Sequence, residues 1–416
     1  MFRLFRVSFA SVALLSLLTS CDRSVSIIVS NPSANDRHPE MVEIPLEDIK
    51  SSLDLTEQDT FVIKDKESKE VPYQITADGS VVFPVELKAN ETSSFKISCG
   101  SPLEYDTKAC GRHEPLKDND IAWENDLVGF RMYGHDLDVA SGYDLFAKRS
   151  TDHPVLPLFY ANERYDSKAW EKYYELEKTD PEAAFRFKME TLSYHVDRGF
   201  GMDCYGVGPT LGAGVAALVE NNEIIYPYCY DSFEIIENGP LRFKIRLKYR
   251  PFNIGEDKDV VETRIITLDV GSHLNKTEVS YENLSESRRI VSGIVLQDWD
   301  GNETANASEG YISYPAPTIN VDTTQTVDNG TLFVGHVYPA ALEEAGTVYF
   351  SKEESAARGG TKGHVLAFSN YSPGSIHTYY WGFGWNHSDI ASYEEWNEYL
   401  RRFASQIRNP LVVRIR

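Results

Sequence analysis

The chain has 416 residues, of which 42% are hydrophobic and 25% are charged, a composition typical of folded globular proteins rather than disordered ones. Its 41 Lys and Arg residues against 63 Asp and Glu residues give a formal net charge of −22. This balance excludes the basic footprint that nucleic acids and anionic membrane surfaces require.

The first twenty residues have the features of an export signal. Arg3 and Arg6 form a positive segment, and the apolar stretch 7–18 that follows is too short to span a bilayer stably. The small residues before Cys21 resemble the lipobox of a bacterial lipoprotein, in which cleavage occurs before a cysteine that carries lipid. We therefore expect residues 1–20 to be a lipoprotein signal peptide and Cys21 to be lipidated. A plain secretory signal is the alternative.

Lipidation at Cys21 predicts an exported protein, facing the periplasm or anchored in the outer membrane of a Gram-negative bacterium, with membrane contact through the lipid alone. Export permits disulfides. The most local pairing of the other cysteines joins Cys99 with Cys110 and Cys204 with Cys229, and buried free thiols are the alternative.

Short strand-like runs separated by turn residues fill residues 21–100 and predict a small β-sandwich. Residues 101–120 are polar and are interpreted as a linker. From residue 121 the predicted strands lengthen, and residues 241–248 alternate apolar and basic side chains, as in a strand with one wet face. We therefore predict a mainly β protein with a second, larger antiparallel two-sheet domain over 121–416.

Two helices are expected to interrupt the strands. The charged and aromatic segment 167–178 predicts a surface insertion. Segment 393–407 begins with a capping box, formed by Ser392 and Glu395, and carries its apolar residues on one face. The absence of strand–helix alternation and of a phosphate-binding glycine loop disfavours a nucleotide-binding α/β fold.

The segment from Tyr194 to Tyr205 has the densest concentration of chemically active side chains. In an extended chain alternate residues share one face, so His195, Asp197, Asp203 and Tyr205 would project together. A neutral imidazole can accept a proton near neutral pH. The oxygen-rich set would also suit a hard cation such as calcium. The alternative is a turn-rich crossover whose carboxylates bind backbone N–H groups.

A second candidate stretch runs from Trp123 through Glu124 and Asn125 to Arg131 and Tyr133. Arginine suits two-point recognition of a carboxylate, and Trp or Tyr suits stacking on sugar rings. The alternative places the Trp in the core and the Arg in a structural ion pair.

Aromatic residues separated by glycine form a third stretch near the C-terminus, which contains Trp381 and Trp385. Such a pattern suits an exposed platform for a flat ligand such as a pyranose. A strand end packed on the final helix would explain it equally.

Three runs resemble the uncharacterised domain-of-unknown-function family 4861: WENDLVGFRMYG (123–134), YHVDRGFGMDCYGVGPTLGAG (194–214) and WGFGWNHSDI (381–390). That family occurs mainly as secreted or lipid-anchored proteins of glycan-degrading Gram-negative bacteria. It is similar to galactose-mutarotase-like supersandwiches, a scaffold that epimerases and several polysaccharide lyases share. The resemblance therefore implies a β-supersandwich over 121–416 and an oligosaccharide or polysaccharide substrate.

The first functional hypothesis is β-elimination on uronate-containing oligosaccharides, by a lyase or an oligosaccharide dehydratase. Arg131 would neutralise the substrate carboxylate. His195, oriented by Asp197, would take the proton at C5, and Tyr205 or Tyr133 would protonate the leaving oxygen.

Two other hypotheses stay open. A glycoside hydrolase would use Glu124 with Asp197 or Asp203 as acid and base, and a non-catalytic sugar-binding or mutarotase-like protein would rely on aromatic surfaces. None of the three requires a metal ion or another cofactor. The side chains assigned to substrate binding are Trp123, Glu124, Asn125, Asp203, Trp381 and Trp385.

Overall fold

The computed structural model describes residues 24–416 except 136, 138, 152, 162–166 and 321–326, and it leaves the side chain of His38 undescribed. The predicted signal peptide and Cys21 lie outside these residues, so lipidation and export stay predictions. Within the described ranges, no helix is long and apolar enough to cross a membrane.

The N-terminal unit consists of two small antiparallel sheets around a core of its own, with helix α1 (Leu46–Leu53) packed against it. One sheet has the strand order β27-β1-β7-β3-β4 and the other the order β2-β6-β5. Its strands are β1 (Ser24–Ser30), β2 (Arg37–Pro45), β3 (Phe61–Lys64), β4 (Glu70–Val71), β5 (Gln74–Ile75), β6 (Ser80–Leu87), β7 (Thr92–Cys99) and β27 (Val412–Ile415).

The last strand of the chain completes this N-terminal unit. β27 pairs antiparallel with β1, with Ile27 opposite Ile415. The C-terminal residues therefore belong to the first unit and not, as the predicted boundaries had it, to the domain that begins at residue 121.

The predicted linker 101–120 is also partly wrong, because its second half forms strand structure. Cys110–Glu114 pairs with Asp120–Glu124 at the edge of a five-stranded antiparallel sheet with the order β12-β11-β10-β9-β8. The absence of a side chain at Gly111 permits this strand pairing, because a Cβ there would clash with the ring of Phe243 at 2.4 Å. The strands are β8 (Cys110–Glu114), β9 (Asp120–Glu124), β10 (Gly129–Met132), β11 (Asp144–Lys148) and β12 (Gly201–Asp203).

Two further antiparallel sheets enclose the main core. The five-stranded sheet has the order β14-β13-β20-β25-β24 and the nine-stranded sheet the order β15-β16-β18-β19-β26-β23-β22-β21, with β17 on β18. The first contains β13 (Ala216–Glu220), β14 (Glu223–Ile224), β20 (Arg288–Leu296), β24 (Glu344–Tyr349) and β25 (Gly363–Tyr371). The second contains β15 (Ser232–Asn238), β16 (Arg242–Lys248), β17 (Phe252–Ile254), β18 (Asp257–Asp269), β19 (Leu274–Glu282), β21 (Thr304–Asn306), β22 (Tyr311–Pro317), β23 (Thr331–Val337) and β26 (His377–Trp385).

Side chains from all three of these sheets join one hydrophobic core, so the prediction of a mainly antiparallel β protein with large packed sheets is confirmed. Trp381 lies at the centre of this core. Its ring stacks on Tyr143 at 4.1 Å between centroids and meets Phe130 edge to face.

The two predicted helices are confirmed. α6 starts after Ser392, whose hydroxyl accepts a hydrogen bond from the Glu395 N–H, and it buries Trp396 and Leu400 against the nine-stranded sheet. The helices after α1 are α2 (Leu156–Phe159), α3 (Lys168–Thr179), α4 (Pro181–Phe187), α5 (Lys352–Ala357) and α6 (Tyr393–Arg408), and a π-helical turn (Lys188–Leu192) follows α4.

Neither of the two local disulfides forms. Cys110, Cys204 and Cys229 are free thiols. Of the two alternatives that the sequence left open, the structure therefore supports free thiols at these three positions.

Candidate functional site

The register of the β8–β12 sheet brings four charged side chains onto one face. Arg131 on β10 is directly opposite Asp144 on β11 and opposite Ala122 on β9. Asp120 is two residues from Ala122, and Asp203 on β12 is opposite Phe146, two residues from Asp144. Because side chains two residues apart share a face, the four groups point the same way.

The Arg131 guanidinium lies among three carboxylates. Its Nε donates to Asp144 Oδ2 at 3.0 Å, and its Nη2 donates to Asp203 Oδ2 at 2.7 Å and also to Asp144. Asp120 Oδ2 is 3.8 Å from Nη1. The Arg131 side chain is only 5% exposed. This group, the Arg131 cluster, therefore contains one buried cation and three acids.

Phenol rings line the cluster on the solvent side. The Tyr133 hydroxyl donates to Asp144 Oδ2 at 2.7 Å, and Arg131 donates to the hydroxyls of Tyr133 and Tyr194, at 3.2 Å each. Tyr133 and Tyr194 are half-buried, whereas the hydroxyl of Tyr160 is buried and has no hydrogen-bond partner among the described residues. The tyrosines thus separate the charges from water.

His195 lies at the edge of the cluster with its side chain 35% exposed. Its Nδ1 is 2.9 Å from the backbone oxygen of Asp203. A carbonyl only accepts, so Nδ1 carries the hydrogen, and in the neutral ring Nε2 holds the lone pair. No described residue hydrogen-bonds Nε2. The geometry therefore presents an anchored imidazole with its basic nitrogen free.

Burial changes the acidity of the carboxyl groups. It raises the pKa of Asp203 to about 6, with Asp144 adding to the rise, and it raises the pKa of Asp120 to about 7. Both oxygens of Asp120 are buried and without a hydrogen-bond donor in the described part of the chain. Burial likewise raises the pKa of Tyr133 well above its ordinary value, so its hydroxyl stays protonated at neutral pH.

We predict that Asp120→Asn stabilises the protein at pH 8 and that this gain shrinks steadily as pH falls towards 4. A carboxyl whose pKa is raised in the folded state favours folding below its unfolded-state pKa of about 4, and this contribution is lost as pH rises from there through about 7. The gain at pH 8 is at most about 4 kcal/mol. Thermal melts of the wild-type and variant proteins between pH 4 and 9 test this prediction. A difference in melting temperature that stays the same at every pH would contradict it.

Asp197 does not orient His195, and that prediction was wrong. Its carboxylate accepts from Arg149 and from the backbone N–H groups of Gly199 and Gly201, at 2.8 and 3.1 Å. Although burial opposes it, these hydrogen bonds lower the pKa of Asp197. The orienting group is the carbonyl of Asp203.

Tyr205 is buried, and its hydroxyl has no hydrogen-bond partner among the described residues, so it presents no group to a substrate. No three His, Cys, Asp or Glu side chains in the described ranges meet in a way that could hold a metal ion. The calcium interpretation of His195, Asp197 and Asp203 is therefore corrected, since Arg131 binds Asp203 and Arg149 binds Asp197.

Glu124 and Trp123, both predicted to bind substrate, are buried structural residues. Glu124 accepts from Lys148 Nζ at 2.7 Å and from the backbone N–H groups of Val155 and Leu156 at the start of α2. Trp123 donates its indole N–H to Asn275 within the core. Neither side chain is exposed to solvent, so the prediction of substrate contact is corrected for both.

Asn125 is fully buried, and its amide joins two turns. Its Oδ1 accepts from the N–H groups of Leu127 and Val128, both at 2.9 Å, and its Nδ2 donates to the carbonyls of Asp269 and Ser272, both at 2.7 Å. Backbone groups therefore use all of the hydrogen-bonding capacity of Asn125. This corrects the prediction that Asn125 binds substrate.

We predict that Asn125→Ala lowers the free energy of unfolding by about 2–4 kcal/mol, because four buried backbone groups lose their partner. The matched control is Asn302→Ala, where the side chain is exposed and, among the described residues, hydrogen-bonds Asp300 alone. Urea denaturation measures both, and equal losses in the two variants would contradict the structural role.

The predicted aromatic platform is not exposed. Trp381 and Trp385 are buried, and their indole N–H groups donate to Thr277 Oγ1 at 2.8 Å and to the carbonyl of Asn329 at 2.9 Å. Both rings are therefore packed inside the protein, and both indole N–H groups already have a hydrogen-bond acceptor there. The alternative interpretation, a strand packed in the core, explains this stretch.

Sequence reasoning missed two acids of the cluster, Asp120 and Asp144, and two tyrosines beside it, Tyr160 and Tyr194. One signal was available for Asp144, an isolated acid that begins the short apolar run DLFA. Asp120 was assigned to the linker, so its place in a sheet was not anticipated.

Fold and cluster together define an antiparallel β protein with a buried arginine–aspartate–tyrosine group beside a half-exposed histidine. The chain belongs to the family described as domain of unknown function (DUF4861), whose model matches residues 29–413.

The chain is also similar to a curated relative and to solved structures. "Uncharacterized protein P7" of Formosa agariphila is 23% identical over 97% of this chain and 98% of its own length. An alpha-mannosidase and a protein in the glycosyl hydrolase family 38, both from Enterococcus faecalis, align with 10% identity and TM-scores of 0.45 and 0.46. They cover 96% and 95% of this chain, which spans about half of theirs, 47% and 48%.

Proposed function

We propose that this protein is a carbohydrate-active enzyme that abstracts a proton through His195, in a β-elimination on uronate-containing oligosaccharides. The observation that carries the proposal is the half-exposed imidazole whose Nδ1–H is held by the Asp203 carbonyl and whose Nε2 is free. A base needs this arrangement, and a histidine has a suitable ordinary pKa. The carbohydrate class follows from the family resemblance.

In this reaction the C5–H bond of the uronate breaks and its proton moves to Nε2 of His195. The electron pair forms the C4–C5 double bond, and the C4–O bond breaks. Tyr133 supplies the proton to the leaving oxygen, because its hydroxyl is held protonated beside Asp144 and its ring reaches the half-buried edge of the cluster.

Arg131 has a different role in this proposal from the one first assigned to it. Its donors are already engaged by Asp144 and Asp203, and a substrate carboxylate beside three aspartates would be repelled. Arg131 instead fixes the positions of Tyr133 and Asp203. The carboxylate-binding role passes to Arg149, because its side chain is 42% exposed. Its two Nη atoms donate to Asp197 and to the carbonyl of His387, so a substrate carboxylate would replace one of these partners.

A glycoside hydrolase is the second candidate. Asp144 and Asp203 accept from the same Arg131 nitrogen, and a carboxyl group with a pKa of about 6 is typical of a general acid. Against this reaction, both side chains are at most 4% exposed, so a glycosidic oxygen would have to enter the cluster.

The deciding experiment incubates the purified protein with a panel of acidic and neutral oligosaccharides and follows mass and ultraviolet absorbance. Elimination gives an absorbing unsaturated product, with loss of water if the leaving group is a hydroxyl. Release of a sugar without absorbance would replace the proposal with hydrolysis. No change with any acidic member, for a folded protein, would overturn it.

A further inference from the structure

A groove of about 410 Å³ lies between the N-terminal unit, the nine-stranded sheet and α6. Lys244, Thr267, Lys276 and Tyr380 form its floor, and the register places them opposite one another on β16, β18, β19 and β26. Strand β2 and the C-terminal half of α6 form its walls. The volume is in the range of small-molecule sites, and the groove shares no residue with the Arg131 cluster.

Every charged side chain that lines this groove has an opposite charge within 4 Å. Arg242 binds Asp269 through two nitrogens, at 2.6 and 3.0 Å, and reaches Glu43 at 3.0 Å. The other ion pairs are Lys244 with Asp78 at 3.4 Å, Lys276 with Glu278 at 2.9 Å and Glu40 with Arg37 at 2.7 Å. The groove therefore has many hydrogen-bonding groups, and its five carboxylates outnumber the four cations that pair with them, which disfavours an anionic ligand.

Aromatic rings and an unused donor complete the lining. Tyr380 meets Phe403 edge to face at 5.1 Å, and Tyr399 lies 6.1 Å from Phe403. Gln406 lines the same wall, and its buried Nε2 has no hydrogen-bond partner in the described part of the chain. Partly buried rings beside paired polar groups are suited to a ligand with apolar ring faces and hydroxyl edges.

We propose that this groove is a second binding site, for a neutral saccharide segment of one or two rings. Hydroxyl groups would bridge the paired side chains on the floor, and Gln406 Nε2 would donate to one of them. Sugar faces would pack on Phe403 and Tyr380. The site is separate from His195, so it holds a chain without taking part in its chemistry.

Isothermal titration of the full chain with neutral gluco-, manno- and xylo-oligosaccharides, and with uronate oligosaccharides of equal length, tests this assignment. We expect binding of at least one neutral series, with an affinity that is nearly unchanged between low and high salt because the ligand carries no charge. Gln406→Ala and Phe403→Ala should each weaken it about tenfold. The control Glu394→Ala, at an exposed position on α6, and His195→Ala should leave it unchanged.

Three outcomes would overturn the second site: no binding of any neutral series, binding lost in His195→Ala but kept in both groove variants, or steep weakening by salt. Circular dichroism and thermal melts establish that each variant is folded. Product formation is measured separately. Turnover without groove binding rejects this inference alone, and groove binding without turnover rejects only the proposed function.

Discussion

His195→Ala is expected to lower kcat/KM on the cleaved oligosaccharide by about 10²- to 10⁴-fold, the usual contribution of a general base. The loss should fall on kcat, because the imidazole acts only when the proton moves. Stability should change little, since the ring is partly exposed and its side-chain hydrogen bond is a single one, to the Asp203 carbonyl.

Two variants sharpen this experiment. His195→Asn keeps a side-chain N–H that can reach the Asp203 carbonyl but removes the basic nitrogen, so it should be as inactive as the alanine variant. His153→Ala removes an exposed histidine outside the cluster and should be fully active. A folded His195→Ala enzyme with unchanged kcat/KM would remove His195 from the mechanism.

Arg131→Met is expected to destabilise the protein by about 3–5 kcal/mol near neutral pH, because it leaves buried carboxylates without their cation. Asp144 and Asp203 lose charge-assisted hydrogen bonds, and Asp120 loses its nearest cation. Burial already raises the pKa values of Asp120 and Asp203, and loss of the guanidinium raises them further, so the protein can protonate these groups as pH falls. The destabilisation should therefore shrink between pH 8 and pH 5.

The matched control is Arg246→Met, which removes a surface partner of Glu234. The two side chains are 40% and 62% exposed, and exposed pairs contribute at most about 1 kcal/mol. Chemical denaturation at several pH values compares the variants. Similar small losses for Arg131 and Arg246, or a loss that grows on acidification, would show that the cluster is not the buried ionic group described here.

Much of the fold could be predicted, because the spacing of apolar residues in a segment indicates which of its side chains are buried. Arg242–Lys248 alternates half-buried or exposed basic residues with buried apolar ones, as its sequence indicated. The capping residues of α6 indicated where that helix begins. Nothing local specifies that Val412–Ile415 returns to pair with the first strand, because that partner is almost four hundred residues away in the chain.

The candidate site was predictable only in part, because its geometry depends on register and burial. The prediction that alternate side chains share one face required an extended chain from Tyr194 to Tyr205. In this segment only Gly201–Asp203 is a strand, and the residues before it bend. His195 and Asp197 therefore do not share a face. Arg131 does lie beside this segment, through Asp203 and Tyr194, as the elimination hypothesis requires. The tryptophans were misassigned because aromatic–glycine patterns suit a packed core as well as a surface.

The position of the proton on His195 tests most directly whether this residue can act as the base. Nitrogen NMR of the protein labelled with ¹⁵N-histidine, with the His195 signals identified by their loss in His195→Asn, reports which ring nitrogen is protonated in the neutral form. We predict a protonated Nδ1 and an unprotonated Nε2, as the bond to the Asp203 carbonyl requires. A neutral ring with the proton on Nε2 would contradict it, because no basic nitrogen would then face the substrate.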